Sequence, residues 1–256
     1  MANFTETNRK YFDQMATSYQ NRFANVLKML TEQVQQRRLW LSDRWTDTDA
    51  GKDQEIKMLE YACGPGAVSM VLQALAPFLT KVIGIDLSDN MVDEYNRNAA
   101  AVGFSDKVTG YKADLLGESV AAQFSGSEFI DFDVLTVSMA LHHFEHPGQA
   151  LKRLASRVKK DGACLIIDLV PHTAHEHGHG HGHGHGHGHG QEGHDFGDAS
   201  ATVMTHGFSR EDMQKLFEGA GLSARFDYEI LSEPLVFTKD DKTISKTAFI
   251  ARAQRA

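Results

Sequence analysis

The sequence is poor in cysteine, in positive charge and in long apolar runs, and each shortage removes a class of function. Only two cysteines occur, Cys63 and Cys164, each inside an apolar stretch. That argues against a disulfide framework and suits a reducing compartment. Twenty-six lysines and arginines face 34 aspartates and glutamates, a formal net charge of −8, and no basic block exceeds pairs such as Arg37-Arg38 and Lys159-Lys160. A phosphate backbone would be repelled, so no nucleic-acid partner is expected. The longest strongly apolar stretch, ACLIIDLV at 163–170, is too short and too charged to span a bilayer. The opening MANFTETNRKYFDQMATSYQ lacks the apolar centre of a signal peptide, and its acidic residues disfavour a transit peptide. The expectation is a cytoplasmic protein, with the nucleus also open, and no membrane span.

What is present is enough for a large core: 41% of the 256 residues are hydrophobic and 23% charged, which excludes wholesale disorder. Residues 1–45 read as helical. Phe23, Val26, Leu27, Leu30, Val34 and Leu41 mostly recur three or four apart, the mark of an amphipathic helix. A polar hinge, SDRWTDTDAGKDQ, follows. The chain then alternates. Strands are expected at 56–62, 81–87, 107–113, 132–139 and 163–170, and helices at 67–77, 89–103 and 147–160. Such alternation points to βαβ units and a parallel sheet. After a helix at 209–222, capped by Ser209, two strand-like runs at 223–231 and 242–253 suggest an antiparallel hairpin.

Within MLEYACGPGAVSM, Gly64 and Gly66 follow directly on the first strand. A glycine turn between strand and helix lets the backbone approach a ligand closely. Acidic residues stand at the ends of the first three strands: Glu60, Asp86 and Asp114. Ligands of open α/β sheets bind along that edge. Asp86 is placed to accept the hydroxyls of a ribose, and Asp114 to accept from an adenine amino group. Met91 and Leu115 would flank the ring.

These stretches resemble the class I S-adenosylmethionine-dependent methyltransferases from about residue 10 onward. LEYACGPG is similar to the family's first motif, VIGIDLSDNMV to its second and YKADLL to its third. FDVLTVSMALHHFEHP and VKKDGACLIIDLV match its fourth and fifth strands, and YFDQMATSYQ resembles the opening of UbiE-type small-molecule enzymes. One departure stands out: the family's first glycine is Ala62 here. A dinucleotide-binding Rossmann protein is the competing reading, but its third glycine would fall on Ser69.

The resemblance implies an α/β, Rossmann-like, seven-stranded and mostly parallel sheet with a C-terminal antiparallel hairpin. It further implies a helical N-terminal lid over 1–45 and an S-adenosyl-L-methionine-binding core over 46–256. The cofactor would meet Glu60, Ala62, Gly64, Gly66, Asp86, Leu87, Met91, Asp114, Leu115 and Ser138. Tyr11 and Tyr19 would belong to the lid and the substrate side. His142 and His143 are the candidate bases, and Cys63 reads as a small packing residue rather than a nucleophile. The expected acceptor is a small molecule. Alternatives are a protein such as a histone, methylated within a regulatory complex, or a scaffold that binds the cofactor without turnover.

From His177 to Gly190 the chain consists of seven consecutive His-Gly pairs, inside a His-Gly-rich segment, 172–198, expected to be a flexible loop. His177, His179, His181 and His183 are adventitious metal ligands on this reading, and no dedicated metal site is expected.

Overall fold

The computed structural model describes residues 4–66, 75–117, 119–171, 201–239 and 242–256. The His-Gly pairs and most of the helix expected at 67–77 lie outside them. Helix α1 (Phe4–Gln36) and the short α2 (Arg38–Leu41) open the chain. Then come β1 (Lys57–Tyr61), β2 (Lys81–Asp86), α3 (Asp89–Ala101), β3 (Val108–Lys112), β4 (Phe132–Ser138), α4 (Pro147–Ala155) and β5 (Val158–Leu169). The chain closes with α5 (Arg210–Gly219), β6 (Ala224–Ile230), β7 (Leu235–Lys239), β8 (Lys242–Lys246) and β9 (Ala248–Gln254).

Seven strands form one sheet in the order β3-β2-β1-β4-β5-β9-β6. The pairs from β3 to β5 are parallel, and β9 runs antiparallel to both β5 and β6. Adjacent residues on each central strand serve opposite faces. Met58, Val82, Val134 and Leu165 join one buried cluster, while Leu59, Ile83, Leu135 and Ile166 join the other. Because both faces are covered, the strands read as continuous apolar runs.

Three expected boundaries shift. The helix expected at 147–160 stops at Ala155, because fully buried Val158 pairs with Phe132 and starts β5 five residues before the expected strand. The run expected at 242–253 is two strands. Residues before Thr247 pair with β7 in a separate ribbon, and those after it pair with β5 and β6. The expected antiparallel pairing of the two final runs holds, with that ribbon as their connection.

The third shift concerns the polar hinge, which contains a plug. Trp45 is fully buried, its Nε1 donates to the Ser42 carbonyl at 2.7 Å, and the Arg38 guanidinium stacks over Phe78 at 3.9 Å. Val26, Leu30 and Val34 of α1 share a cluster with Trp45 and the sheet. The back half of α1 is therefore part of the core. Its front half runs on beyond a break at Phe23, where φ is −113° and ψ 17°.

One contact sets the position of α3. Tyr95 is fully buried against two bare strand positions. A Cβ on Gly84 would stand 2.5 Å from Tyr95 Cζ, and one on Gly110 would stand 2.8 Å from its Cδ1. Asn96 then pairs with both backbone groups of Gly110, at 2.8 and 3.1 Å.

Candidate functional site

The chain moves outward from β1 to β2 and β3, then returns to the other side of β1 for β4 and β5. The strand order reverses between β1 and β4, and crevices open at such switch points beyond the strands' carboxyl ends. A cleft of about 710 Å³ lies here, lined by residues from α1 and from the ends of β1, β2 and β4.

The turn after β1 forms one wall. Gly64 and Gly66 hold φ of +49° and +89°, as a glycine turn requires. Ala62 holds φ of +53°, in the left-handed region that a Cβ disfavours. The conformation is thus the one a glycine would adopt more easily, and alanine occupies it under strain. A Cβ placed on Gly64 would meet nothing nearer than Met91 Sδ at 4.0 Å, so that face of the turn is open.

Asp86 ties the turn to the next strand. One carboxylate oxygen accepts the Gly64 N–H at 2.9 Å and the other accepts the Ser88 N–H at 2.9 Å. Burial pushes its pKa above the usual aspartate value, against the lowering effect of those backbone donors. Ser88 also caps α3, accepting from the Met91 N–H at 3.1 Å. Leu87, Met91 and Asp114 join the same lining.

Residues 30–225 match a sequence family described as a methyltransferase domain. The chain belongs to that family. An uncharacterized methyltransferase of Schizosaccharomyces pombe is 30% identical over 122 residues, covering 46% of this chain and 40% of that protein. The uncharacterized methyltransferase YcgJ of Bacillus subtilis is 26% identical over 119 residues, covering 44% and 41%. The matches thus span about two fifths of these relatives' length. Among solved structures, a SAM-dependent methyltransferase from Anabaena variabilis superimposes with a TM-score of 0.61. It is 19% identical and covers 100% of this chain and 96% of its own, a likeness of fold.

Several residues singled out in the sequence of this methyltransferase-domain protein meet in the cleft: Ala62, Gly64, Asp86, Leu87, Met91, Asp114, Ser138, Tyr19 and His143. Others stand apart. Glu60 is buried in β1 and Gly66 is buried in the turn, neither among the lining residues. Leu115 faces the core at 2% exposure, and its neighbour Leu116 takes the cleft wall. The Asp114 carboxylate closes its own turn, accepting from the N–H groups of Leu116 and Gly117 at 2.8 and 2.9 Å. Burial pushes the Cys63 thiol well above its ordinary value, so it stays protonated and unreactive.

The two histidines, adjacent in a short turn after β4, have separate environments. His142 is buried, with ring Nδ1 2.7 Å from Asp168 Oδ1 and the His142 backbone N–H donating to Asp168 Oδ2 at 3.1 Å. It does not line the cleft. His143 does, and its Nδ1 lies 2.6 Å from the Thr202 carbonyl. Burial, reinforced by His142, pushes the His143 pKa down to about 3. That imidazole is neutral throughout the physiological range.

Helix α1 supplies the opposite wall through Thr5, Asn8, Arg9, Phe12 and Tyr19. The spacing of Thr5, Asn8, Phe12 and Tyr19 is three, four and seven, one face of a helix. That polar and aromatic stripe is the sequence signal for Asn8 and Phe12, and it is weaker than the apolar stripe farther along the helix. Tyr11 lies outside the lining, its ring edge-on to Phe12 at 5.2 Å. Tyr19 is pushed up to about 12 by burial and by the nearby Asp86 charge.

Proposed function

We propose that the chain binds S-adenosyl-L-methionine in this cleft and transfers its methyl group to a small-molecule acceptor. One observation carries the reading: the Asp86 carboxylate accepts the Gly64 N–H, so the acid of β2 and the open turn of β1 form one cleft wall. A carboxylate offers about four acceptor positions. The two backbone bonds leave room for ribose hydroxyls. Ser138 supports the same fit, because it lines the cleft while its Oγ is buried without a hydrogen-bond partner among the described residues. Leaving such a group unpaired costs about 1–3 kcal/mol, which a polar ligand would offset.

When bound, the cofactor supplies an activated methyl group on a sulfonium. The protein's own residues then hold the nucleoside, exclude water and orient the acceptor. On this reading Asp86, Leu87 and Met91 hold the nucleoside, with Asp114 and Leu116 at the far wall. The front half of α1 acts as the lid, through Phe12 and Tyr19. The back half of α1 completes the core, so residues 46–256 would lack part of their own packing. Among the described residues no helix is long and apolar enough to cross a membrane.

A second reading, a scaffold that binds the cofactor without turnover, has one observation in its favour. His143 is held at about 3, too low to take up a proton at neutral pH. Calorimetry with S-adenosylmethionine and S-adenosylhomocysteine on the wild type, Asp86→Ala and Asp86→Asn tests the site. Binding by the wild type, weakened at least tenfold in Asp86→Ala, is expected. A folded wild type that binds neither compound would overturn the proposal. Binding without methyl release across a panel of small acceptors would favour the scaffold.

A further inference from the structure

Asn8 and His143 meet across the cleft, one from α1 and one from the turn after β4. Asn8 Nδ2 donates to the His143 carbonyl at 3.1 Å. That bond fixes which end of the amide is which, and it leaves Asn8 Oδ1 buried with no hydrogen-bond partner among the described residues. The Thr202 carbonyl, 2.6 Å from His143 Nδ1, can only accept. The ring proton therefore sits on Nδ1, and Nε2 keeps its lone pair. No described residue donates to Nε2. Two cleft-lining residues in contact thus each carry an acceptor that no described residue satisfies.

The surroundings limit what can answer them. Both arginines of the lining are engaged: Arg9 grips Glu6 at 2.7 and 2.8 Å, and Arg153 donates to the carbonyls of Leu116 and Gly117 beside Asp114. Phe12 stands edge-on to the His143 ring at 5.1 Å. The strand order puts β4 on the other side of β1 from Asp86, so this pair is at the end of the cleft away from the nucleoside acid. A carboxylate or phosphate placed on this pair would face two acceptors, with both arginines of the described lining already paired. An uncharged donor would satisfy both.

We propose that Asn8 and His143 form the acceptor subsite and select an uncharged molecule through a hydroxyl or similar hydrogen-bond donor, with Asn8 as the specificity-determining residue. The inference rests on reading the cleft as a methyl-transfer site. A donor reaches Asn8 Oδ1 by a small rotation about the amide's broad terminal torsion.

The test is titration of the full chain with phenol, anisole and benzoate, with and without S-adenosylhomocysteine. It is followed by the ¹⁵N resonance of His143 Nε2, assigned by its loss in His143→Gln. Phenol is expected to bind and move that resonance. Asn8→Ala is expected to weaken phenol about three- to tenfold and leave anisole unchanged, which also shows the pocket intact. Absent phenol binding, benzoate binding more tightly than phenol, or equal losses for phenol and anisole would each overturn the inference. S-adenosylhomocysteine that binds normally while the phenol arm fails removes this inference alone. Failure of S-adenosylhomocysteine to bind removes the cofactor reading, and the phenol arm still reports on the pair.

Discussion

Ser88 Oγ donates to Asp13 Oδ1 at 2.7 Å, and the N–H of the same serine donates to Asp86 at 2.9 Å. Asn90 adds its N–H to Asp13 Oδ1 at 3.1 Å and its amide to the Asp13 carbonyl at 3.0 Å. The front half of α1 is thereby fastened to the start of α3, beside the acid assigned to the nucleoside. Asp13→Ala removes charge-assisted bonds and should destabilise the fold by about 1–2 kcal/mol. Amide exchange should quicken first between residues 5 and 20. Unchanged protection there would mean that packing alone holds the helix.

The same carboxylate makes the docking pH-sensitive. The Ser88 hydroxyl and the Asn90 N–H hold Asp13 below its ordinary value. A group with a depressed folded value contributes stability above its unfolded value, and loses it as pH falls through the folded one. Docking of α1 should therefore weaken below about pH 4. Other depressed carboxylates, such as Asp212, titrate nearby. The readout is therefore the difference between wild-type and Asp13→Ala urea unfolding curves, which should shrink toward zero in acid.

Ala62 offers a gain. At φ of +53° its Cβ is disfavoured, a cost of about 1–2 kcal/mol, while glycine loses more unfolded-state entropy. Ala62→Gly should raise the unfolding free energy by about 0.5–1 kcal/mol, read from the urea midpoint at constant slope. A loss of stability would show that the alanine methyl packs usefully against its neighbours.

Gly84→Ala should act in the opposite direction. The new methyl would stand 2.5 Å from Tyr95 Cζ, and such overpacking costs about 1–3 kcal/mol. In a Tyr95→Leu background the penalty should shrink. A double-mutant cycle measures that coupling, and strict additivity would count against the steric account.

The adjacent histidines should separate cleanly. His142→Ala leaves Asp168 buried and short of a partner, which should cost about 2–4 kcal/mol. His143→Gln should keep most of the stability and lose acceptor binding. Thermal unfolding and ligand titration of both variants distinguish them, and the reverse pattern would exchange their roles.

Much of this was legible in the chain itself. Strands buried on both faces show as apolar runs whatever they pack against, and Gly64 and Asp86 announce themselves because a bare turn and an acid at a strand tip are local features. The double role of 242–253 was not legible, since its alternation continues while the pairing partner changes at Thr247. Nor was the buried Trp45, whose polar neighbours suggested a solvated connection.

Local chemistry by itself determined the sheet, the glycine turn and the order of the acidic strand tips, because backbone periodicity and conformational cost act over a few residues. Tertiary structure decided which side chains share the cleft. His142 and His143 are chain neighbours, but one is enclosed with Asp168 and the other faces Asn8, 135 positions away. Burial, desolvation and hydrogen-bond partners belong to the packed state, and no spacing in the sequence encodes them separately.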